Sequence, residues 1–164
     1  LKKLAKKYLK KRILNLKVQM QPNITGMVAL KNQKKYPISS IKFDDDILTW
    51  IANENSKKRF KSNLNLWTIQ ASLKWSKKMI NIYKKDNTII NLLIKRFVQL
   101  TGIDKTKIVH KKIHGWKYSY NFKKTPYLSS WNTNYQLGLC GDWFNGPKVE
   151  NAWLSAKDLY KKIR

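Results

Sequence analysis

The sequence is poor in cysteine, since Cys140 is the only one among 164 residues and only two histidines accompany it. A single cysteine excludes an intrachain disulfide, and these three side chains cannot supply the four ligands of a structural zinc site. No apolar run approaches the roughly 18 to 20 residues of a membrane-spanning helix. The opening stretch LKKLAKKYLKKRILNL is too charged for the core of a signal peptide. We therefore expect a soluble, cytoplasmic protein that binds no metal and contacts no membrane.

Acidic residues are also scarce, with 9 Asp and Glu against 35 Lys and Arg and a formal net charge of +26. Only four of the basic residues are arginine, and the lysines are spread along the whole chain. Nucleic-acid surfaces favour arginine and concentrate their charge on one face. Charge alone predicts non-specific, salt-sensitive binding of nucleic acid. A dedicated basic nucleic-acid-binding domain stays open as an alternative function.

The hydrophobic content of 42%, with seven tryptophans, predicts a folded domain. Strand patterns are followed by two helices, further strands and a final helix, so the expected fold class is mixed α/β (α+β). The predicted strands span 23–31, 38–43, 47–52, 65–72 and 107–122, with a hairpin that turns at 132–134 and ends at Asp142. The predicted helices are a basic one over 1–14, one from Leu73 to Tyr83 capped by Ser72, one over 88–100 ended by Gly102, and one that begins near Pro147.

The closing stretch of the chain places an aspartate between a strand and a helix. The first amides of the last helix follow Gly146 and are expected to face the strand end that delivers Asp142. A helix N-terminus offers unpaired N–H donors and a partial positive charge, which suit a phosphate or the oxygens of a ring. The Asp142 carboxylate either accepts hydrogen bonds from ligand hydroxyls or caps the turn. One face of this helix is apolar and is expected to dock on the sheet; it holds Val149, Ala152, Trp153, Ala156, Tyr160 and Ile163.

Four other patterns mostly favour structural roles. His110 and His114 stand four residues apart, but no carboxylate accompanies them at the spacing of a metal site. The acidic turn 44–46 cannot bring three adjacent carboxylates onto one ion, so a solvated turn is predicted. Cys140 lies within the apolar run LGLC and is predicted to be a small buried residue. Most tryptophans are predicted to lie in the core, with Trp116 and Trp143 at the border of a pocket.

The segment LGLCGDWFNGPKVENAWLSAKDL resembles the C-terminal flavin motif of FAD-dependent amine oxidoreductases, in particular the renalase-like branch. In that motif a strand ending in Gly-Asp is followed by a loop and by a helix that starts with a Val-Glu-Gly-Ala type of sequence. Three upstream segments, ILTWIANENSKK, LWTIQASLKWS and HGWKYSY, are similar to substrate-domain segments of the same branch and occur in the same order.

The resemblance implies a function and a set of site residues. Enzymes of this type transfer a hydride from a small reduced or amine-type substrate to the flavin. Asp142 would bind the ribityl chain of FAD with Gly141 beside it, and helix-start amides at Lys148, Val149 and Glu150 would meet the pyrimidine edge of the flavin. The substrate side of the pocket would include His114, Trp116, Tyr118 and Trp143. No catalytic residue follows from the resemblance.

A dinucleotide-binding glycine motif, G-x-G-x-x-G, is absent from the sequence. The resemblance therefore covers only the second half of a complete family member, and the expected fold is an incomplete FAD/NAD(P)-binding fold. We expect a basic helical lead-in over 1–20, a mixed-sheet substrate domain over 21–128, and a C-terminal FAD-binding strand, loop and helix over 129–164. Holding FAD would need the N-terminal dinucleotide-binding half, on this or another chain. An inactive truncated fragment is the further alternative.

Four positions depart from the pattern of the family. Asn151 and Ala156 stand where glycine is common, and Gly115 and Lys117 stand where arginines are often seen. The side chain of Asn151 is expected to crowd the flavin.

Overall fold

A computed structural model of the protein describes residues 6–31, 36–59 and 61–164, except the side chain of Arg12. The chain divides into two compact units. Gln21–Ser119 form the sheet unit, and Leu1–Met20 together with Tyr120–Arg164 form the terminal unit. The expected mixed α+β class is confirmed. The boundary between the two units falls after Ser119, whereas the sequence suggested a boundary after residue 128. The lead-in belongs to the terminal unit and is not a separate segment.

The sheet unit is built on a five-stranded sheet with the order β2-β3-β4-β1-β5. Its strands are β1 Gln21–Leu30, β2 Ser40–Lys42, β3 Leu48–Asn53, β4 Asn65–Ala71 and β5 Ile108–Tyr120. The sheet is antiparallel, so the expected mixed sheet is wrong. The helical connection from β4 leads to β5, but β1 lies between these two strands, and they never pair. A helical connection gives parallel pairing only when the two strands it joins are neighbours in the sheet. Here β4 and β5 are not neighbours.

Two helices cover one face of this sheet. Helix α2, Leu73–Met79, begins where the Ser72 hydroxyl accepts a hydrogen bond from the Trp75 amide at 3.0 Å. Helix α3, Thr88–Thr101, ends at Gly102, whose φ of +66° is the left-handed conformation of a C-terminal cap. Both boundaries match the predicted cap residues. The apolar side of α3 closes the core through Ile89, Ile90, Leu93, Ile94 and Phe97.

The terminal unit contains the last helix and a short hairpin. Its elements are α1 Lys11–Leu14, β6 Ser130–Asn132, β7 Leu137–Leu139, α4 Val149–Ile163 and two 3-10 turns, Lys6–Tyr8 and Asp142–Phe144. Leu9 and Ile13 of the lead-in are buried with Phe144. The Asn132 side-chain amide donates to the Tyr8 carbonyl at 2.7 Å. The lead-in therefore packs on the hairpin and the second 3-10 turn.

The predicted continuous helix over residues 1–14 is found only as short pieces within the described part. Residues 1–5 of the predicted helix lie outside the described residues. This stretch contains seven lysines and arginines and no carboxylate. Like charges one turn apart destabilise a helix when no acidic residue offsets them.

The acidic turn 44–46 is solvated only in part. The Asp45 side chain is 10% exposed, and its carboxylate accepts from Arg96 Nε at 2.9 Å. Its other oxygen accepts from the amides of Ile47 and Leu48 at 3.0 and 2.9 Å. The hydrogen bond with Arg96 lowers the pKa of Asp45 from 3.8 to about 2. The Asp45 carboxylate thus links the β2–β3 turn to α3. The prediction of a solvated turn did not include this contact.

Asp45→Asn should lower the stability of the protein at neutral pH and reduce its sensitivity to acid. Because the folded pKa is depressed, the contribution of this carboxylate is complete above the unfolded value of 3.8 and is lost as the pH falls toward about 2. The shift corresponds to at most about 2.5 kcal/mol, less the screening by solvent at the partly exposed Arg96. Urea denaturation at several pH values should show the two proteins converging at low pH. Asp44→Asn, at an exposed neighbour, should leave the curve unchanged.

No helix among the residues that the structure describes is long and apolar enough to cross a membrane.

Candidate functional site

The candidate site lies on the loop that connects β7 to α4. Asp142 opens the 3-10 turn that follows the strand, and its backbone carbonyl accepts from the amides of Asn145 at 2.9 Å and Gly146 at 2.7 Å. Its carboxylate is half-buried and has no hydrogen-bond or ion-pair partner among the described residues. The turn is closed by the backbone of Asp142 and not by its side chain. The capping role that the sequence left open is therefore not what the carboxylate does here.

Gly141 positions Asp142 through a conformation that favours glycine. Its φ of +148° lies outside the usual range of residues with a side chain, and a Cβ at this position would approach Trp143 Cδ1 to 2.7 Å. The Gly141 amide donates to the hydroxyl of Ser155 at 2.9 Å. The Trp143 ring stacks on Phe144 with 3.8 Å between ring centroids. Trp143 thus lies against the Gly-Asp turn, and its place at the border of a pocket stays a prediction.

The start of α4 has no side-chain cap among the described residues. Lys148 occupies the N-cap position in an extended conformation, and no side chain accepts a hydrogen bond from the first turn of the helix. The first amides of a helix have no acceptor within the helix and carry a partial positive charge. Lys148, Val149 and Glu150 are all exposed at this end. The Lys148 amide donates to Gly146 O at 2.8 Å, which joins the helix start to the turn that Asp142 closes.

Asn151 holds the loop in place, a role that sequence reasoning missed. Its side-chain amide donates to the carbonyls of Asn145 and Gly146, each at 3.1 Å, and its oxygen accepts from Asn145 Nδ2 at 3.0 Å. The side chain is used within the loop, and the expectation that it crowds the flavin stays a prediction. The signal for this role in the sequence is the pair Asn145-Gly146, which precedes Asn151 in the first turn of α4.

The inward face of α4 is polar, which overturns the predicted docking face. Ser155 is fully buried, accepts from the Gly141 amide and donates to Leu128 O. Asp158 accepts from the hydroxyl of Ser129 at 2.6 Å. Leu159 supplies the apolar contact, because a Cβ on Gly138 of β7 would approach its Cδ2 to 2.8 Å. The predicted apolar face is instead largely exposed, at Val149, Trp153, Ala156, Tyr160 and Ile163.

The residues expected on the substrate side lie on β5 in the sheet unit. His114, Trp116 and Tyr118 alternate along the strand and are exposed, Trp116 by 53% and Tyr118 by 71%. The rings of His114 and Trp116 meet edge to face with 4.5 Å between centroids. Gly115 between them is required by packing, since a Cβ there would lie 2.4 Å from Cε1 of Tyr83. Trp143, which was placed with this set, belongs to the terminal unit.

The histidine pair and the surface cavities lie outside the loop that carries Asp142, whereas Cys140 begins that loop. His110 and His114 are both exposed on β5, and the described residues contain no group of three or more His, Cys, Asp or Glu that could hold a metal ion. Cys140 is exposed, so its predicted burial is wrong. Two surface cavities, of about 670 and about 380 Å³, lie in the sheet unit and do not involve Asp142.

No model of a known protein family matches this chain. The residues of the site and their chemistry are therefore the basis for the function proposed below.

Proposed function

We propose that this chain is the C-terminal portion of a FAD-dependent oxidoreductase of the renalase-like type. It would comprise most of the substrate domain and the strand and helix that complete the flavin site. The observation that carries the proposal is the loop between β7 and α4. There an unpartnered carboxylate, Asp142, and an uncapped helix start are linked by two backbone hydrogen bonds through Gly146.

The groups on this loop fit the central part of FAD. The ribityl chain carries hydroxyl donors, for which the Asp142 carboxylate is a strong acceptor. The pyrimidine edge of a flavin carries carbonyl oxygens and gains negative charge on reduction, and both suit the amides and the positive dipole end at the start of α4. Gly141 lacks a side chain, and this lets the Trp143 ring pack against the Gly-Asp turn. The pyrophosphate and adenosine would need a glycine-rich loop, which this sequence lacks.

The bound FAD would supply the hydride acceptor, and the substrate would be a small reduced or amine-type molecule. Asp142 would fix the position of the ribityl chain. The amides of Val149 and Glu150 would stabilise negative charge that develops at the pyrimidine edge. The resemblance assigns His114, Trp116 and Tyr118 of β5 to the substrate side. A complete enzyme would need the dinucleotide-binding half.

Riboflavin is a suitable probe of this site because it contains the ring and the ribityl chain without the phosphates. It carries no net charge, so its binding should be insensitive to salt even though the protein has a net charge of +26. We expect weak binding, seen as quenching of riboflavin fluorescence. Asp142→Ala should raise the Kd roughly tenfold or more, since hydrogen bonds to a charged group contribute about 1.5–3 kcal/mol.

Asp44→Ala is the matched control, because Asp44 is an exposed carboxylate on the sheet unit. It should leave riboflavin affinity unchanged. FAD should bind more tightly than riboflavin only through the charge of its phosphates. The difference in affinity should therefore disappear at high salt. Equal binding by Asp142→Ala and wild type, or FAD binding that stays far tighter than riboflavin binding at high salt, would refute the proposal.

A further inference from the structure

The outer face of α4 carries a continuous apolar stripe that no other described part of the terminal unit covers. Val149 is 90% exposed, Trp153 60%, Tyr160 51% and Ile163 52%. With Ala156, which is also exposed, these residues form the stripe along a helix about 22 Å long. An exposed, contiguous set of large apolar side chains marks an interaction surface. We infer that this stripe binds a second copy of the chain, with the two α4 helices antiparallel.

The arrangement of the stripe suits pairing with itself. Ala156, the smallest side chain, lies at its middle, where two helices need to approach most closely. Antiparallel pairing about Ala156 brings Val149 of one copy to Ile163 of the other and Trp153 to Tyr160. A two-fold axis repeats each of these contacts, which gives a closed, isologous interface.

The charges at the two ends of one edge of the stripe are complementary in the same pairing. At 100° per residue, Glu150, Lys157, Lys161 and Arg164 lie on the same side of the stripe. Lys157 lies beside the central Ala156, so the two copies of Lys157 face each other and oppose the pairing. Glu150 has no ion-pair partner among the described residues, and Arg164 lies over the Tyr160 ring at 4.4 Å. In an antiparallel pair Glu150 of each copy lies opposite Lys161 and Arg164 of the other.

The area that the two stripes bury determines how tightly the dimer is expected to bind. Large aromatic side chains bury about 150–250 Å² each. Two stripes would together bury on the order of 1,000 Å², near the lower limit for a specific interface. The net charge of +26 on each copy opposes association. We therefore expect a weak dimer that strengthens as salt screens the repulsion, which is opposite to the salt dependence of nucleic-acid binding.

Sedimentation equilibrium at increasing protein and salt concentrations tests this inference. The mass should rise from monomer toward dimer, and more readily at high salt. Trp153→Gln should raise the dimer Kd at least about tenfold, because aromatic anchors carry much of the energy of an interface. Glu150→Lys should also weaken the dimer, because it turns two attractions into repulsions. Trp116→Gln and Asp44→Lys, matched changes at exposed positions of the sheet unit, should have no effect.

Two outcomes would overturn the inference. A monomer at every protein and salt concentration would mean that the stripe does not bind a second copy. A dimer that Trp153→Gln and Glu150→Lys leave unchanged would place the contact on another surface. Far-ultraviolet circular dichroism of each variant confirms that it is folded, and the substituted side chains are solvent-exposed and leave the core intact.

Discussion

Phe144→Ala should destabilise the terminal unit by about 3–5 kcal/mol, the usual cost of deleting a fully buried phenylalanine. Phe144 is 0% exposed and packs with Leu9 and Ile13 in a core of three buried apolar side chains among the described residues. So small a core has few other contacts with which to fill the cavity. The carbonyl of Phe144 also accepts from the Thr125 amide at 2.7 Å, so a shift of this residue disturbs the loop.

The loss of stability in Phe144→Ala should be measurable as faster hydrogen exchange at the amides of β6, β7 and α4. Because Phe144 closes the 3-10 turn that Asp142 opens, riboflavin binding should fall as well. Phe122→Ala removes the same ring from a side chain that is 62% exposed and should cost less than about 0.5 kcal/mol. Equal costs for the two variants would contradict the placement of Phe144 in a core.

Phe97→Ala should destabilise the sheet unit by a similar amount, about 3–5 kcal/mol. Phe97 is fully buried on the inner side of α3, and its ring centroid lies 5.9 Å from that of Trp67 on β4. Trp67 in turn meets the ring of Tyr36 edge to face at 5.5 Å. Removing Phe97 therefore leaves a cavity at the junction of the helix with the centre of the sheet.

Urea denaturation measures this loss, with Leu92→Ala on the same helix as the control. Leu92 is 45% exposed, so its truncation keeps the helix and creates no cavity. It should cost well under 1 kcal/mol. A Phe97→Ala variant no less stable than Leu92→Ala would show that α3 presents a different face to the sheet.

Local rules predicted the sheet unit well. Ser72 starts α2 and Gly102 ends α3 because a serine cap and a left-handed glycine act within one turn of the chain. The strands follow from short β-rich runs bounded by turn residues. The antiparallel sheet was not predicted, because strand order depends on which distant strands pair, and β1 separates β4 from β5.

The terminal unit was harder to predict because its contacts are polar and distant in sequence. Periodicity found an apolar face on α4, but it does not say what covers that face. Ser155 and Asp158 instead turn inward because each has a specific partner, Gly141 and Leu128 for Ser155 and Ser129 for Asp158. The position of Asp142 between β7 and α4 was predicted, since strand, glycine and helix signals follow each other directly. That its carboxylate is unpartnered became visible only in the structure.

Riboflavin titration followed by amide resonances tests the central claim most directly. If Asp142 and the start of α4 form one flavin site, the amides of Gly141, Asp142, Val149 and Glu150 should shift together and saturate with one Kd. The amides of the turn 44–46 should stay in place. Shifts spread over lysine-rich surfaces, or no shift at the β7–α4 loop when riboflavin binds, would contradict the account.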